Sequence, residues 1–383
     1  MSTRGEQLRL ATRGSALARW QANAVKEQLT GRRFAVELVE VETTGDQVRD
    51  ELIHRLGTTG AFVRSLDEEV LSGEVDGAVH SMKDMPTEQP EELVVAAIPE
   101  RGPAADVLVT PDGTSLADLP EGATVGTSSL RRGAQLLAER PDLDIQGVRG
   151  NVDTRVEKLL APSLQREHER RLEAAGELPD AAEESDEHDD DGSDDQDDDG
   201  AFDRTPEEWF DDLAEIERRA LERDVETEYD AICLAQAGLE RSGLLRHLDH
   251  ERLDPSSFVP APAQGAIAVT TLDDEVGQRI HDVVDHPPTR VETTVERTVL
   301  GELGGGCVAP VGIFARLQGD VVATTARVLS RDGTEEVRDT RDLPVERHAT
   351  AAAEFAADLA DRGAAELVER ARREGPDERK RGE

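Results

Sequence analysis

Five arginines at three junctions are the first residues in this sequence with chemistry to offer. Arg13 sits in Ala11-Thr12-Arg13-Gly14-Ser15, where an apolar run gives way to a helix-like one. Arg131 and Arg132 end Gly126-Thr127-Ser128-Ser129-Leu130-Arg131-Arg132, and Arg149 and Arg155 bracket Gly150-Asn151-Val152-Asp153-Thr154. Helix N-termini bind anions through their free amides and the helix dipole. Small residues let a ligand approach the backbone, and Arg adds a planar fork that matches a carboxylate. One such Arg is most simply a surface ion pair. Five at three junctions point to a cleft for a small molecule carrying several carboxylates or phosphates. None of the segments is a Walker A loop or a GxGxxG fingerprint.

Two further residues could do covalent or acid–base work. Asp84, in His80-Ser81-Met82-Lys83-Asp84-Met85-Pro86, follows a strand-like run and so stands at a strand's carboxyl end. A carboxylate there can act as general acid/base or stabilise a cation in a closed cleft. It can equally be a helix cap or a surface partner of Lys83. Cys307 follows three glycines and precedes Val308-Ala309-Pro310. It is open to reading as a nucleophile, a covalent attachment point or an inert small residue. Cys233, inside Ala231-Ile232-Cys233-Leu234, reads as core. His80 reads as a packed histidine and His188 as solvated. No metal-ligand spacing is present, and no His/Asp partner for a thiol protease surrounds Cys307.

The elements that must hold these residues alternate between strand and helix. Strands are expected at Leu8–Thr12, Phe34–Val41, Asp76–Ser81, Leu93–Ile98, Asp106–Thr110, Thr124–Gly126, Ile145–Val148 and Tyr229–Leu234. Helices are expected at Ser15–Leu29, Phe62–Leu71, Ser129–Arg140 and Val152–Leu160. Several strands are apolar on both faces, as parallel strands between helices are, so the class is α/β. Ligands in such folds bind beyond the carboxyl ends of the strands, where the arginine junctions lie. Pro99–Pro103 and Pro255–Pro262 break the alternation as hinges. A helix after Pro288, strands Val311–Leu317 and Val321–Ser330, and one long Ala-rich helix near Glu346–Arg373 make a separate α+β domain.

Composition narrows the partners. The 383 residues carry 84 Asp and Glu against 44 Lys and Arg, a net charge of −40. Only Lys26, Lys83, Lys158 and Lys380 are lysines. Such a chain repels nucleic acid and anionic membrane. Its self-repulsion shrinks as the Debye length falls to about 3 Å near molar salt, which reads as a salt-adapted cytoplasmic protein. No apolar run reaches a membrane span, the opening MSTRGEQLRL lacks the apolar core expected of a signal peptide, and two cysteines exclude a disulfide scaffold. Half of the net charge lies in 161–226, an insertion whose centre, 181–200, is expected to be disordered. After it, Thr205-Pro206-Glu207-Glu208 starts a helix carrying Trp209, Phe210, Leu213, Ile216, Ala220 and Leu221.

Taken together, ATRGS (11–15), VHSMKDMP (79–86), GTSSLRR (126–132), RGNVDTR (149–155), YDAICLAQAGL (229–239), QGA (264–266) and GGCVAP (305–310) resemble the hydroxymethylbilane synthase family, also called porphobilinogen deaminases. The motifs occur in the family's order and span residues 8–330 apart from the insertion. The resemblance implies two solute-binding-protein-like (type II) α/β domains joined by a hinge, plus a smaller α+β C-terminal domain. Domain 1 would be 1–100 with 264–285, domain 2 104–259, and domain 3 288–383.

It also implies the reaction. Four porphobilinogen molecules condense head to tail with loss of ammonia, and linear hydroxymethylbilane is then hydrolysed off. The implied cofactor is a dipyrromethane held by a thioether to Cys307. Asp84 would be the catalytic aspartate, assisting ammonia loss and holding the resulting cation. Lys83, Asp84, Thr127, Ser128, Ser129, Arg131, Arg132 and Arg155 would bind the cofactor. Arg13, Ser15, Arg149, Arg155, Arg241 and Gln264 would bind substrate. Porphobilinogen is the expected partner, with no nucleic acid and no membrane, and a monomer is expected. The alternative is a non-catalytic small-carboxylate-binding module of the same fold, which would need neither Asp84 nor Cys307. Arg55 and Thr59 stand where the family commonly has lysines, and Thr59 loses a charge. The insertion, joined at the sheet edge away from the carboxyl ends, is expected to be a solvated loop.

Overall fold

The computed structural model describes residues 6–32, 34–41, 61–177, 202–306 and 309–374. The expectations for Arg55, Thr59, Cys307 and the acidic centre 181–200 lie outside them. By its contacts the chain forms one unit of residues 1–155 with 229–383, and a second unit, Val156–Glu228.

In the larger unit, β1 (Glu6–Arg13) lies parallel to β2 (Phe34–Val41) and β3 (Gly77–Ser81). Next comes β10 (Ile267–Leu272), antiparallel to β3 and to the edge strand β4 (Leu93–Ala97). Side chains alternate across β1. Leu8 and Leu10 pack with Ala22, Val25 and Leu29 of α1 (Ala16–Thr30) and Ile280 and Val284 of α8 (Glu275–Val284). Ala11 turns to the other face, against Leu66 and Val70 of α2 (Ala61–Leu71).

A second sheet repeats the plan. β6 (Thr124–Gly126) lies parallel to β7 (Asp144–Gln146) and β8 (Ala231–Ala235). β5 (Asp106–Val109) is antiparallel to β8 and to the edge strand β9 (His250–Arg252). The two orders, β2-β1-β3-β10-β4 and β7-β6-β8-β5-β9, are the same pattern. In each, the antiparallel strand beside the third one arrives by crossing from the other sheet. The two α/β domains expected from the sequence are thus joined by a reciprocal exchange of strands. The two crossing segments touch: the Gly102 amide donates to the Gly265 carbonyl at 3.1 Å. Gly265 has φ 86°, and a Cβ there would lie 2.6 Å from the Gly102 oxygen. Glycine is required at this crossing.

The third sheet is antiparallel: β11 (Val311–Gln318), β12 (Val321–Leu329) and β13 (Glu336–Pro344). It packs on α9 (Pro287–Glu302) and α10 (His348–Asp361) around the fully buried Phe355. The fold is therefore two crossed α/β domains with a smaller α+β domain. Two expectations fail here. β13 was missed because EVRDTRDLP is polar at nearly every position, with only Val337 and Leu343 buried. The long terminal helix is two, α10 and α11 (Ala364–Arg373), because Gly363 between them adopts φ 100°.

In the Val156–Glu228 unit a third expectation fails. α4 (Val152–Ala175) does not stop at Leu160 but runs through Pro162 for about another four turns. Proline removes one backbone bond, and pairs such as Glu167–Arg171 at 2.8 Å support the turns beyond. Thr205 caps α5 (Pro206–Asp212) in a reciprocal box with Glu208. The expected single helix then breaks at Leu213, and α6 (Glu215–Leu221) follows. Trp209 stacks on His168, and Arg171 lies over the Phe202 and Trp209 rings.

Candidate functional site

Each predicted junction forms where the sequence places it. β1 ends at Arg13, and Ser15 caps α1 by accepting from the Ala18 amide at 3.2 Å. β6 ends at Gly126, and Ser129 caps α3 (Leu130–Glu139) through the Arg132 amide. Thr127 accepts from the Ser129 amide, and Ser128 donates to the Val148 carbonyl, which ties the first loop to the next. β7 leads through the exposed Arg149 to α4, where the Arg155 side chain donates to the Gly150 carbonyl at 2.8 Å.

Asp84 closes a single 3-10 turn, Met82–Asp84, directly after β3. Met82 and Met85 on either side are buried in an apolar cluster with Ile98 and Ala266, while Asp84 itself is exposed. The two methionines anchor the turn and leave the carboxylate outward.

The centre of the site is a residue the sequence reading missed. Asp106, the first residue of β5, is fully buried and accepts from Arg131 Nη2 at 2.7 Å, Arg132 Nε at 2.8 Å and Gln264 Nε2 at 2.9 Å. Burial pushes its carboxyl up, and the two guanidiniums and the Gln264 amide outweigh that and hold it below the usual range. Arg131 also donates to the Val259 carbonyl, and its buried Nε has no hydrogen-bond partner among the described residues. Burial lowers Arg131; at Arg132 burial is outweighed only by its opposing neighbours together, Asp106 foremost, and the net direction is up.

The charges meet around Lys83. Burial lowers its ammonium, Arg132 and Arg131 push the same way, and Asp84 and Asp106 oppose them. Burial and then Arg132 bring Arg155 down to about 10, against the pull of Asp84. Arg131 and Arg132 thus sit on Asp106, and the charges of Lys83, Arg155 and Asp84 act on one another and on Arg132. The surplus positive charge, the orphaned Arg131 Nε and the hydroxyls of Thr127, Ser128 and Ser129 suit a ligand with several carboxylates.

Two expected substrate residues are engaged elsewhere. Gln264 is 1% exposed, and its amide is spent on Asp106, Arg132 Nη2 and the Ala104 carbonyl. It can reach a ligand only through the arginines. Arg241, the last residue of α7 (Gln236–Arg241), donates to the Gly265 carbonyl at 2.6 Å and lies over the Trp20 ring. It braces the crossing segments. Cys233 is fully buried in β8, and burial pushes its thiol up to about 12. Among the described residues, no cluster of His, Cys, Asp and Glu is arranged to hold a metal ion.

Two family descriptions match this chain: "Porphobilinogen deaminase, dipyromethane cofactor binding domain" over residues 8–167 and 215–279, and "Porphobilinogen deaminase, C-terminal domain" over 291–362. A probable porphobilinogen deaminase of Halobacterium salinarum is 55% identical, covering 96% of this chain and 99% of its own. One of Methanococcoides burtonii is 36% identical over 94% and 96%, and a porphobilinogen deaminase of Exiguobacterium sp. is 37% identical over 87% and 88%. Among solved structures, a periplasmic substrate-binding protein of an ABC transporter from Coxiella burnetii covers 74% of this chain and 94% of its own, at 11% identity and a TM-score of 0.34. The matched domains and these identities over nearly full length place the chain in the porphobilinogen deaminase family.

Proposed function

We infer that this chain is a hydroxymethylbilane synthase, a transferase that joins four porphobilinogen molecules with release of ammonia and frees the linear hydroxymethylbilane. The cofactor is a dipyrromethane. When bound, it supplies the pyrrole carbon onto which the first substrate is added. The observation that carries the reading of the site is the Asp84 turn at the end of β3, beside Lys83, together with the Arg131–Asp106–Arg132 cluster at 2.7 and 2.8 Å.

In this reading Lys83, Arg131, Arg132 and Arg155 hold the carboxylates of the cofactor, with Thr127 and Ser129 as further donors and Ser128 joining them by giving up its bond to the Val148 carbonyl. Arg13, Ser15 and Arg149 meet the incoming substrate. Each porphobilinogen brings two carboxylates, so a growing chain needs a cation-rich wall. Asp106 keeps two of those cations in place without filling the site. Asp84 is the catalytic group. It assists departure of ammonia from the substrate and balances the cation left behind, an interaction made only along the reaction path. Cys307 carries the thioether; burial of Cys233, with its thiol at about 12, supports Cys307 as the attachment point.

The division into 1–100 with 264–285, 104–259 and 288–383 is part of this reading, supported by the three sheets and the crossing segments between them. The same holds for a cytoplasmic monomer that binds no nucleic acid: the charge of −40 supports the last. No helix among the described residues is long and apolar enough to cross a membrane. The test is incubation of purified protein with porphobilinogen, following its loss with Ehrlich's reagent and the ammonia released. One ammonia per substrate consumed is expected. Binding without ammonia release would leave only the carboxylate-binding module.

A further inference from the structure

α9 carries two arginines seven residues apart, Arg290 and Arg297, which share one face of the helix. Both donate to backbone carbonyls of the first α/β domain, at different places. Arg290 reaches the Val95 and Ala96 carbonyls at 3.2 and 2.9 Å, on β4. Arg297 reaches the turn that carries Asp84: Nη1 donates to the Met82 and Met85 carbonyls at 3.4 and 3.1 Å, and Nη2 to the Pro86 carbonyl at 2.6 Å. The Met82 carbonyl closes the turn by accepting from the Met85 amide at 3.2 Å, while the Met85 and Pro86 carbonyls lie past that bond, and a planar guanidinium can serve several carbonyls in a fixed orientation. One turn on, Gly301 faces Thr87, the next residue of the same loop; a Cβ there would lie 3.9 Å from that side chain. The loop therefore runs along the helix from Arg297 towards its end. α9 ends at Glu302, five residues before Cys307.

We propose that Arg297 is a positioning residue that holds the Asp84 turn in register with the helix leading to Cys307. The proposal rests on the reading of Asp84 as the catalytic group. Arg297 touches neither substrate nor cofactor; it acts through the backbone on either side of Asp84. A guanidinium lowered by burial, as this one is, is a costly group to keep there unless its bonds are used. Misplacing a catalytic group by about 1 Å can cost about 100-fold in rate, so a loosened turn should show in kcat rather than in KM.

The experiment compares Arg297→Gln, Arg297→Lys and Arg290→Gln in the full chain purified in high salt. Arg290→Gln removes a tether of the same helix to the same domain without touching the Asp84 turn. Arg297→Gln should lower kcat about 10- to 100-fold with KM unchanged. It should also speed amide exchange across 82–86 while intact mass still shows a loaded cofactor. Arg297→Lys keeps the charge but not the fork, and should also lose kcat. Arg290→Gln should change neither the exchange of 82–86 nor kcat. Combined with Asp84→Glu, Arg297→Gln should cost less than it does alone, because both act on one carboxylate. Equal effects of the two Gln variants, full activity in Arg297→Lys, or multiplicative losses with Asp84→Glu would each overturn the proposal. If Asp84→Glu itself left kcat intact, the assignment of Asp84 would fall and the proposal with it. If Asp84→Glu lowered kcat and Arg297→Gln did not, only the proposal would fall.

Discussion

Replacing Asp106 by Asn should be among the most damaging single changes in the larger unit. The substitution keeps the shape and removes one charge. The carboxylate it replaces is fully buried and takes hydrogen bonds at 2.7, 2.8 and 2.9 Å from Arg131, Arg132 and Gln264. An Asn offers one oxygen to three donors and turns an NH2 towards a guanidinium. Two cations, each under 7% exposed, lose the carboxylate they are hydrogen-bonded to. Breaking a buried pair from one side costs about 3–5 kcal/mol, against about 5–15 kcal/mol for a whole domain. The assay is equilibrium unfolding in urea at fixed high salt, comparing midpoints and slopes for the two proteins. The pH dependence has a definite sign. The folded Asp106 carboxyl is held below its unfolded value of about 3.9. Its contribution is therefore complete above that value and is lost as pH falls through the depressed one. The gap between wild type and Asp106→Asn should be flat at neutral pH and close in acid. Salt should change it little, since a buried pair is poorly screened. A loss below about 1 kcal/mol, the range of an exposed pair, would refute the claim that this carboxylate anchors the arginines.

Asp84→Ala should lower kcat by about 100- to 10,000-fold, the range of a positioned acid–base group, without loss of fold; steady-state kinetics beside circular dichroism decides it. Burial and then Arg132 disfavour the Arg155 charge, so a ligand carboxylate beside it is a gain. Arg155→Gln should raise the KM for porphobilinogen about 10- to 100-fold, the loss of one charge-assisted hydrogen bond, read by steady-state kinetics. Arg101 holds the buried Glu296 through two bonds, at 2.8 and 3.0 Å, and donates to the Gln264 carbonyl. Arg101→Met should destabilise the protein by about 3–5 kcal/mol, read by urea unfolding.

Much of the site is visible in the sequence because it is local. A strand, a small-residue turn and a capping Ser announce two of the three arginine junctions within ten residues, at Ser15 after Arg13 and at Gly126–Ser129 before Arg131. β3 and β8 are legible for the same reason, as short apolar runs between turn signals, whereas β9 and β10 are not among the expected strands. What stayed hidden depends on partners far along the chain. Asp106 reads as an ordinary strand residue until β5 is laid beside α3 and the 259–266 segment, and Arg297 reads as a polar helix position until α9 lies against 82–86. Gln264 looks like a ligand donor in QGA and is instead a buried brace for Asp106. Strand β13 hid because only Val337 and Leu343 face the core. The extension of α4 hid behind Pro162, where a helix stop was the reasonable local reading.

The most direct test of the whole account is the intact mass of the protein purified in high salt, measured beside Cys307→Ala. Wild type should exceed its polypeptide mass by two linked pyrrole units, and the variant should not. It should also gain further pyrrole units stepwise when porphobilinogen is added in limiting amounts. A bare polypeptide mass that stays bare after incubation with porphobilinogen, or a surplus that survives in Cys307→Ala, would contradict a covalent primer on Cys307.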